Sequence, residues 1–196
     1  MDLEIKETIL TNILSKYNQE ITNLSIHNLA MIAAQSFFPR NTMVLGLNEP
    51  QRYVYLIVKG LSRSYYIDED GNNVTKNFML EGEFLIGEGL FSDTSVEAFD
   101  AVEDLQCLRF EAAALKKLIM SDDGLTKLYI SLLEETIRYK MQREYGFQNL
   151  NAEQRYLEFQ DIYGKAENRM PQNLIASYIG IKKESLSRLR KKMRNN

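Results

Sequence analysis

The sequence predicts an α+β chain in which an antiparallel barrel or jelly roll is followed by a long helix and a C-terminal helix-turn-helix. Three observations carry this expectation. Residues 53–80 break into short runs rich in β-branched and aromatic residues, separated by turn-forming polar residues. Residues 123–147 run on at helical periodicity without a proline. Residues 173–196 concentrate positive charge around a single glycine turn.

The chain opens with a helical lead over 1–36, where Ile9, Ile13 and Leu14, then Leu24, Leu29 and Ile32, recur at short helical spacings. The texture changes at "FFPRNT". From there "YVYLIVKG" (53–60), "LSRSYYI" (61–67) and "VTKNFML" (74–80) read as a meander of strands, divided by Lys59-Gly60 and by "DEDGNN". The last of these has the acid density of a calcium loop but the wrong register. An EF-hand loop needs glycine at position 6 and glutamate at 12, whereas Gly71 is fourth from Asp68 and Met79 falls at 12. A hairpin turn is the reading. The Gly-rich "EGEFLIGEGLF" (81–91) follows, and "EAFDAVEDLQCLRFE" (97–111) restores a strand pattern, so the jelly roll is placed at 37–110.

Connecting helices are expected over 111–145. Ile130, Leu133, Ile137, Met141 and Tyr145 form one apolar stripe of the long helix, and Leu125, Leu128 and Leu132 form another. Two stripes need two partners. One is the barrel, and the other is the same helix of a second subunit in a parallel coiled-coil dimer; burial within one monomer is the competing reading. Gly146 to Asn151 reads as a hinge that opens a C-terminal domain at 146–196. Within it "AEQRYLEFQDIYG" (152–164) is a helix ended by Gly164, "KAENRM" is a polar loop, and Pro171 starts the next helix, where its missing N–H costs nothing.

The tail is the most informative stretch. Lys182, Lys183, Arg188, Arg190, Lys191, Lys192 and Arg194 face one acid, Glu184, on a chain whose net charge is −3. In "PQNLIASYIGIKKESLSRLRKKM", Leu174, Ile175 and Tyr178 share a face and Ala176 is small enough for a close crossing. Gly180 sits where the chain must turn. Leu186, Leu189 and Met193 then point inward and leave Lys183, Glu184, Ser187, Arg188 and Lys191 outside. Outward Lys and Arg neutralise phosphates, and an Arg reads the O6 and N7 of guanine. Glu184 suits cytosine N4, with complementation of the helix dipole as the alternative role.

The remaining composition excludes more than it suggests. With 44% hydrophobic residues in 196, a real core is expected. No apolar run approaches the roughly 18 residues of a membrane span, and "MDLEIKETIL" lacks the basic opening of a secretory signal, so a cytoplasmic protein is expected. A single cysteine, Cys107, rules out an internal disulfide and Cys-rich zinc or iron–sulfur sites. His27 is the one histidine, and "LSIHNLAMIAAQSFF" gives it the setting of a surface or core-edge residue. No metal, cofactor or catalytic constellation is expected, and the chain is read as a non-enzyme.

The order of parts resembles the cyclic-AMP receptor protein/FNR (Crp/Fnr) family of bacterial transcription regulators. "YLIVKGLSRSYYIDEDGNNVTKNF" (55–78) resembles that family's barrel hairpin, and "RMPQNLIASYIGIKKESLSRLRK" (169–191) its DNA-binding motif. The latter is also similar to the Bacteroidetes-type branch, where "IASYLGI" followed by "ESLSRIRK" is common. The resemblance implies a cyclic-nucleotide-binding-like sensor domain at 1–110, a dimerisation helix, and a helix-turn-helix domain that lacks an evident wing. It implies base reading by Lys183, Glu184 and Arg188, and phosphate contacts from Gln172, Asn173, Lys182 and Ser185, to which the outward face adds Ser187 and Lys191. Lys183 stands where Arg is more common, and Lys182 where a Ser or Thr cap is frequent. The implied partners are double-stranded DNA, a second copy of the chain, and RNA polymerase, with no membrane.

Against that pattern the sensor half departs. Gly87 and Glu88 are kept, but the family's Arg-Ser pair for the cyclic phosphate falls near Ser95 and Val96, and no Arg or Lys lies between Leu80 and Leu108. The positions that hold the base in the cyclic-AMP receptor fall near Lys140 and Met141. Glu97, Asp100, Glu103 and Asp104 would repel a desolvated phosphate, which argues against cyclic AMP and leaves an unknown small effector or none. The lack of a wing after the second helix predicts a shallow salt dependence of DNA binding. The alternative function is a ligand-binding module that acts through protein contacts.

Overall fold

Thr22 accepts a hydrogen bond from the Ser25 amide at 3.1 Å and so caps the second of two leading helices, α1 (Leu3–Leu14) and α2 (Asn23–Ile32). The structure, a computed structural model, describes residues 1–17, 21–86, 90, 95 and 97–194. Leu10, Leu14, Ile26, Leu29 and Ala30 bury one face of the helical lead against Val54, Leu56, Leu108 and Phe110. The lead ends at Ile32, earlier than the expected 36. From Ala33 the backbone is drawn into β1 (Ala33–Phe38), which pairs residue for residue with β8 (Leu105–Glu111), so the sheet begins four residues before the predicted 37.

Two four-stranded antiparallel sheets follow. One has the order β1-β8-β3-β6, with β3 (Tyr53–Lys59) and β6 (Phe84–Leu85). The other has the order β2-β7-β4-β5, with β2 (Met43–Leu45), β7 (Ala98–Ala101), β4 (Ser62–Ile67) and β5 (Asn73–Met79). Ile57, Leu85, Leu105 and Cys107 of the first meet Met79, Phe99 and Ala101 of the second to form the core between them. Burial there pushes the Cys107 thiol up to about 12. The β4–β5 hairpin closes as predicted. Asp68 Oδ1 accepts from the amides of Asp70 and Asn72, and Gly71 takes φ +82°. β5 lies at the edge of its sheet.

α3 (Ala112–Ser121) and α4 (Asp123–Asn149) are separated by Asp122. Its Oδ1 accepts from the Leu125 amide at 3.0 Å and its Oδ2 from the Ser25 hydroxyl at 2.6 Å, so one carboxylate starts the long helix and ties it to α2. The break between helices falls inside the expected hinge, Gly146–Asn151, but at its far end. α4 continues through Gly146, where a side chain would press on Glu158 at 2.9 Å, and ends at Asn149. The boundary falls at Asn151, whose side chain and that of Gln154 form a capping box for α5 (Ala152–Tyr163). Gly164 does not stop this helix with a left-handed conformation. Its φ of −51° lets the chain run on as a 3-10 turn over Gly164–Arg169, in place of the expected loop.

α6 (Gln172–Ile179) and α7 (Lys183–Arg194) complete the chain. Their buried face is shared with the barrel. Leu61, Phe78 and Val102 pack with Tyr156, Phe159, Tyr163, Ile175, Tyr178 and Leu186 in one cluster. Among the described residues, no helix is long and apolar enough to cross a membrane.

Candidate nucleic-acid interface

The turn between α6 and α7 is set by Gly180 at φ +72°. Its amide bonds to the Ser177 carbonyl and the Ile181 amide to that of Ala176, a Schellman closure that a Cβ would disturb at 2.7 Å from the Phe147 ring. Two arginines satisfy the other C-terminal carbonyls of α6. Arg143 donates to the Tyr178 carbonyl at 2.9 Å and lies 3.7 Å from the Tyr178 ring centre, and Arg155 donates to the Ile179 carbonyl at 2.9 Å.

α7 divides by face. Leu186 is fully buried, and Leu189 and Met193 pack partly buried beside it. Arg190 also turns inward, to the Glu167 carboxylate and the Tyr156 hydroxyl, and Lys192 pairs with Glu153 at 2.8 Å. Burial alone would raise the Glu167 carboxyl; hydrogen bonds from Tyr156 and Gln160, with the charge of Arg190, outweigh it and hold the group below its ordinary range. Two of the seven tail cations are therefore paired within the chain, Arg190 largely buried and Lys192 on the surface, a pairing that the sequence did not reveal because both acids lie outside the tail.

The predicted base readers Lys183, Glu184 and Arg188 are all exposed on one side of α7. Arg188 Nη2 lies 3.3 Å from Ser185 Oγ and donates to it. Of the predicted phosphate contacts, Gln172 and Asn173 are exposed in the first turn of α6, Lys182 is exposed just before α7, Ser187 and Lys191 are exposed, and Ser185 is half-buried. Lys182 precedes α7, where a lysine side chain offers the first amides no acceptor, and the Ser185 and Leu186 amides bond the Lys182 carbonyl. Ser187, Arg188, Lys191 and Arg194 lie side by side on the exposed face of α7. Arg194 was missed from sequence, although its spacing of three from Lys191 was the available signal.

The effector positions are not assembled in the same way. Gly87, Glu88 and Val96 lie outside the described residues. Ser95 is buried and donates to the Glu97 carbonyl at 2.7 Å, while Lys140 and Met141 are exposed on α4. Lys76 of β5 reaches Glu97 at 2.6 Å, with both side chains largely buried, so the acid nearest to Ser95 already has its counter-charge. His27 is half-exposed with Nδ1 2.7 Å from Glu7 Oε1, a core-edge position as expected.

Comparison with known proteins bears on the barrel first. Residues 35–122 match the cyclic nucleotide-binding domain. This cyclic nucleotide-binding-type domain and the helices after it are also found together in solved structures. FixK2 from Bradyrhizobium japonicum superposes with a TM-score of 0.76 at 20% identity, over 84% of this chain and 85% of that one. CLP, the c-di-GMP responsive global regulator of Xanthomonas campestris, gives 0.72 at 18% identity, over 89% and 92%. A CooA mutant from Carboxydothermus hydrogenoformans gives 0.70 at 14% identity, over 95% and 84%. At these identities the shared property is the fold. A search of curated proteins finds no match.

Proposed function

We propose that the chain is a homodimeric transcription regulator of the Crp/Fnr type that binds a pseudo-palindromic duplex through α7. The observation that carries this reading is the division of α7 into an apolar inner face and an outer face of Lys183, Glu184, Ser187, Arg188, Lys191 and Arg194. A helix of that kind, preceded by a Schellman turn and braced by α6, meets the needs of a helix-turn-helix. Arg188 reads guanine, Glu184 accepts from cytosine, and Lys183 supplies a third base contact. Gln172, Asn173, Lys182, Ser185, Ser187, Lys191 and Arg194 hold phosphates.

The shared fold with FixK2, CLP and CooA supports the family, and RNA polymerase contact follows from the same reading. The likeness of "IASYIGI" (175–181) and "ESLSRLRK" (184–191) to the Bacteroidetes-type motif supports a place in that branch. The second copy is held along Ile130, Leu133, Ile137, Met141 and Tyr145, which are 40–64% exposed in the isolated chain. The effector in this reading is an unknown small molecule or none; the lack of Arg or Lys between Leu80 and Leu108 and the pairing of Lys76 with Glu97 argue against cyclic AMP.

Selection of duplexes from a random pool tests the proposal. A pseudo-palindrome with half-site centres about 34–36 Å apart is expected, and Arg188→Ala should cost about 1–3 kcal/mol and relax one position of each half-site. A protein that selects no duplex, or whose Arg188→Ala form selects the same site equally well, refutes it.

A further inference from the structure

Strand β5 is an edge strand, and an edge presents backbone groups that need covering. Three helices supply the cover with hydroxyls. The Thr75 amide donates to Ser177 Oγ of α6 at 2.9 Å. Tyr139 of α4 donates to the Lys76 carbonyl at 3.2 Å, and Tyr163 of α5 donates to Asn77 Oδ1. The Tyr139 oxygen also lies 3.1 Å from the hydroxyl of Tyr178 in α6. One phenol thus joins the barrel, the long helix and α6 at a single buried point. Burial raises the hydroxyls of Tyr139 and Tyr163 far above their ordinary value, so both stay protonated donors throughout the accessible pH range.

Arg143, one turn further along α4, grips the other end of the same residue through the Tyr178 ring and carbonyl. Tyr139 and Arg143 therefore hold Tyr178 as an i, i+4 pair, while Ile137, Met141 and Tyr145 between and beyond them face outward. The helix that carries the exposed stripe is the one that holds α6.

We infer that the Tyr139–Arg143 clasp on Tyr178 sets the half-site spacing that the dimer accepts. The inference rests on the proposed function: if two copies meet along α4, the distance between their α7 helices passes through this clasp on each side. Tyr139 is a positioning residue, since it touches no outward residue of α7. Its hydroxyl has a partner in each element whose relative placement fixes that distance, and no other side chain on α4 bonds both β5 and α6 among the described residues.

The test uses the full chain and duplexes that share one selected half-site but vary its spacing in single base pairs, together with a duplex carrying one half-site alone. Wild type is expected to prefer one spacing sharply. Tyr139→Phe should reduce that preference roughly tenfold, the weight of one net hydrogen bond, and leave affinity for the single half-site unchanged. Arg143→Gln should act in the same direction. In the absence of DNA, hydrogen exchange at the Thr75 amide should quicken in both variants. Retention of the wild-type spacing profile in Tyr139→Phe overturns the inference. So does an equal loss on single and paired half-sites, which would show a purely structural role. A wild type that selects no duplex overturns the proposed function instead, and with it the spacing inference.

Discussion

Gly180 and Lys182 sit two residues apart and show how differently neighbouring positions are constrained. Gly180 holds φ +72° with the Phe147 ring against its α-carbon, so Gly180→Ala should destabilise the chain by at least about 1–2 kcal/mol in denaturant titration. Lys182 stands where Ser or Thr would cap α7. Lys182→Ser should stabilise the fold by about 0.5–1 kcal/mol while weakening duplex binding and flattening its salt dependence. A variant that gains stability without losing affinity would remove Lys182 from the phosphate contacts. Residues such as Lys183, Glu184 and Arg188 were legible because helical periodicity alone assigns an outward face. Arg190 and Lys192 were not, since Glu167 and Glu153 reach them from other elements.

The long helix is the element on which the two-stripe reading can be judged. Leu125 and Leu128 are buried against the helical lead and barrel, and Leu132 packs partly buried beside them, while the second stripe is open. Leu128→Ala should therefore cost about 2–5 kcal/mol in thermal or denaturant unfolding. Ile137→Asp, at a position 57% exposed, should leave the monomer fold intact and abolish self-association in sedimentation analysis. A dimer that survives Ile137→Asp would place its interface elsewhere. The ends of helices were read less well than their faces. The expected hinge over Gly146–Asn151 holds the break at its far end, where Asn151 caps α5, while Gly146 packs closely against Glu158 inside the continuous helix.

At the scale of the molecule, the C-terminal helices are attached to the barrel by charge as well as by the shared aromatic cluster. Arg169 bonds Glu81 at 2.7 Å and Glu103 at 2.6 Å, a link from the segment before α6 to two barrel loops. Burial would raise the Glu81 carboxyl, but the hydrogen bonds from Arg169 and the Gly60 amide outweigh it and lower the group from its ordinary 4.5. Glu167, beneath α7, is lowered as well. A depressed carboxyl contributes stability above the unfolded pKa and loses it as pH falls through the folded one, so these attachments should weaken below about pH 4.5. Glu83, raised by burial, works in the opposite sense. Hydrogen exchange of α6 and α7 against pH should show the loosening, and Glu81→Gln should remove part of its pH dependence; an unchanged profile would count against the Arg169 link.

What the sequence by itself determined is local and periodic: the meander and its hairpin turn, the opposing stripes of α4, the glycine turn and the outward side of α7. Each follows from the spacing of residue types along one element, where the repeat of a strand or helix assigns the face. What the tertiary structure decided is long-range. It brought Lys76 to Glu97, Arg169 to two acids of the barrel, and Tyr139, Tyr163 and Ser177 to one edge of β5. No periodicity encodes such pairings, because they depend on how whole elements stack and on which backbone groups a sheet edge leaves unpaired.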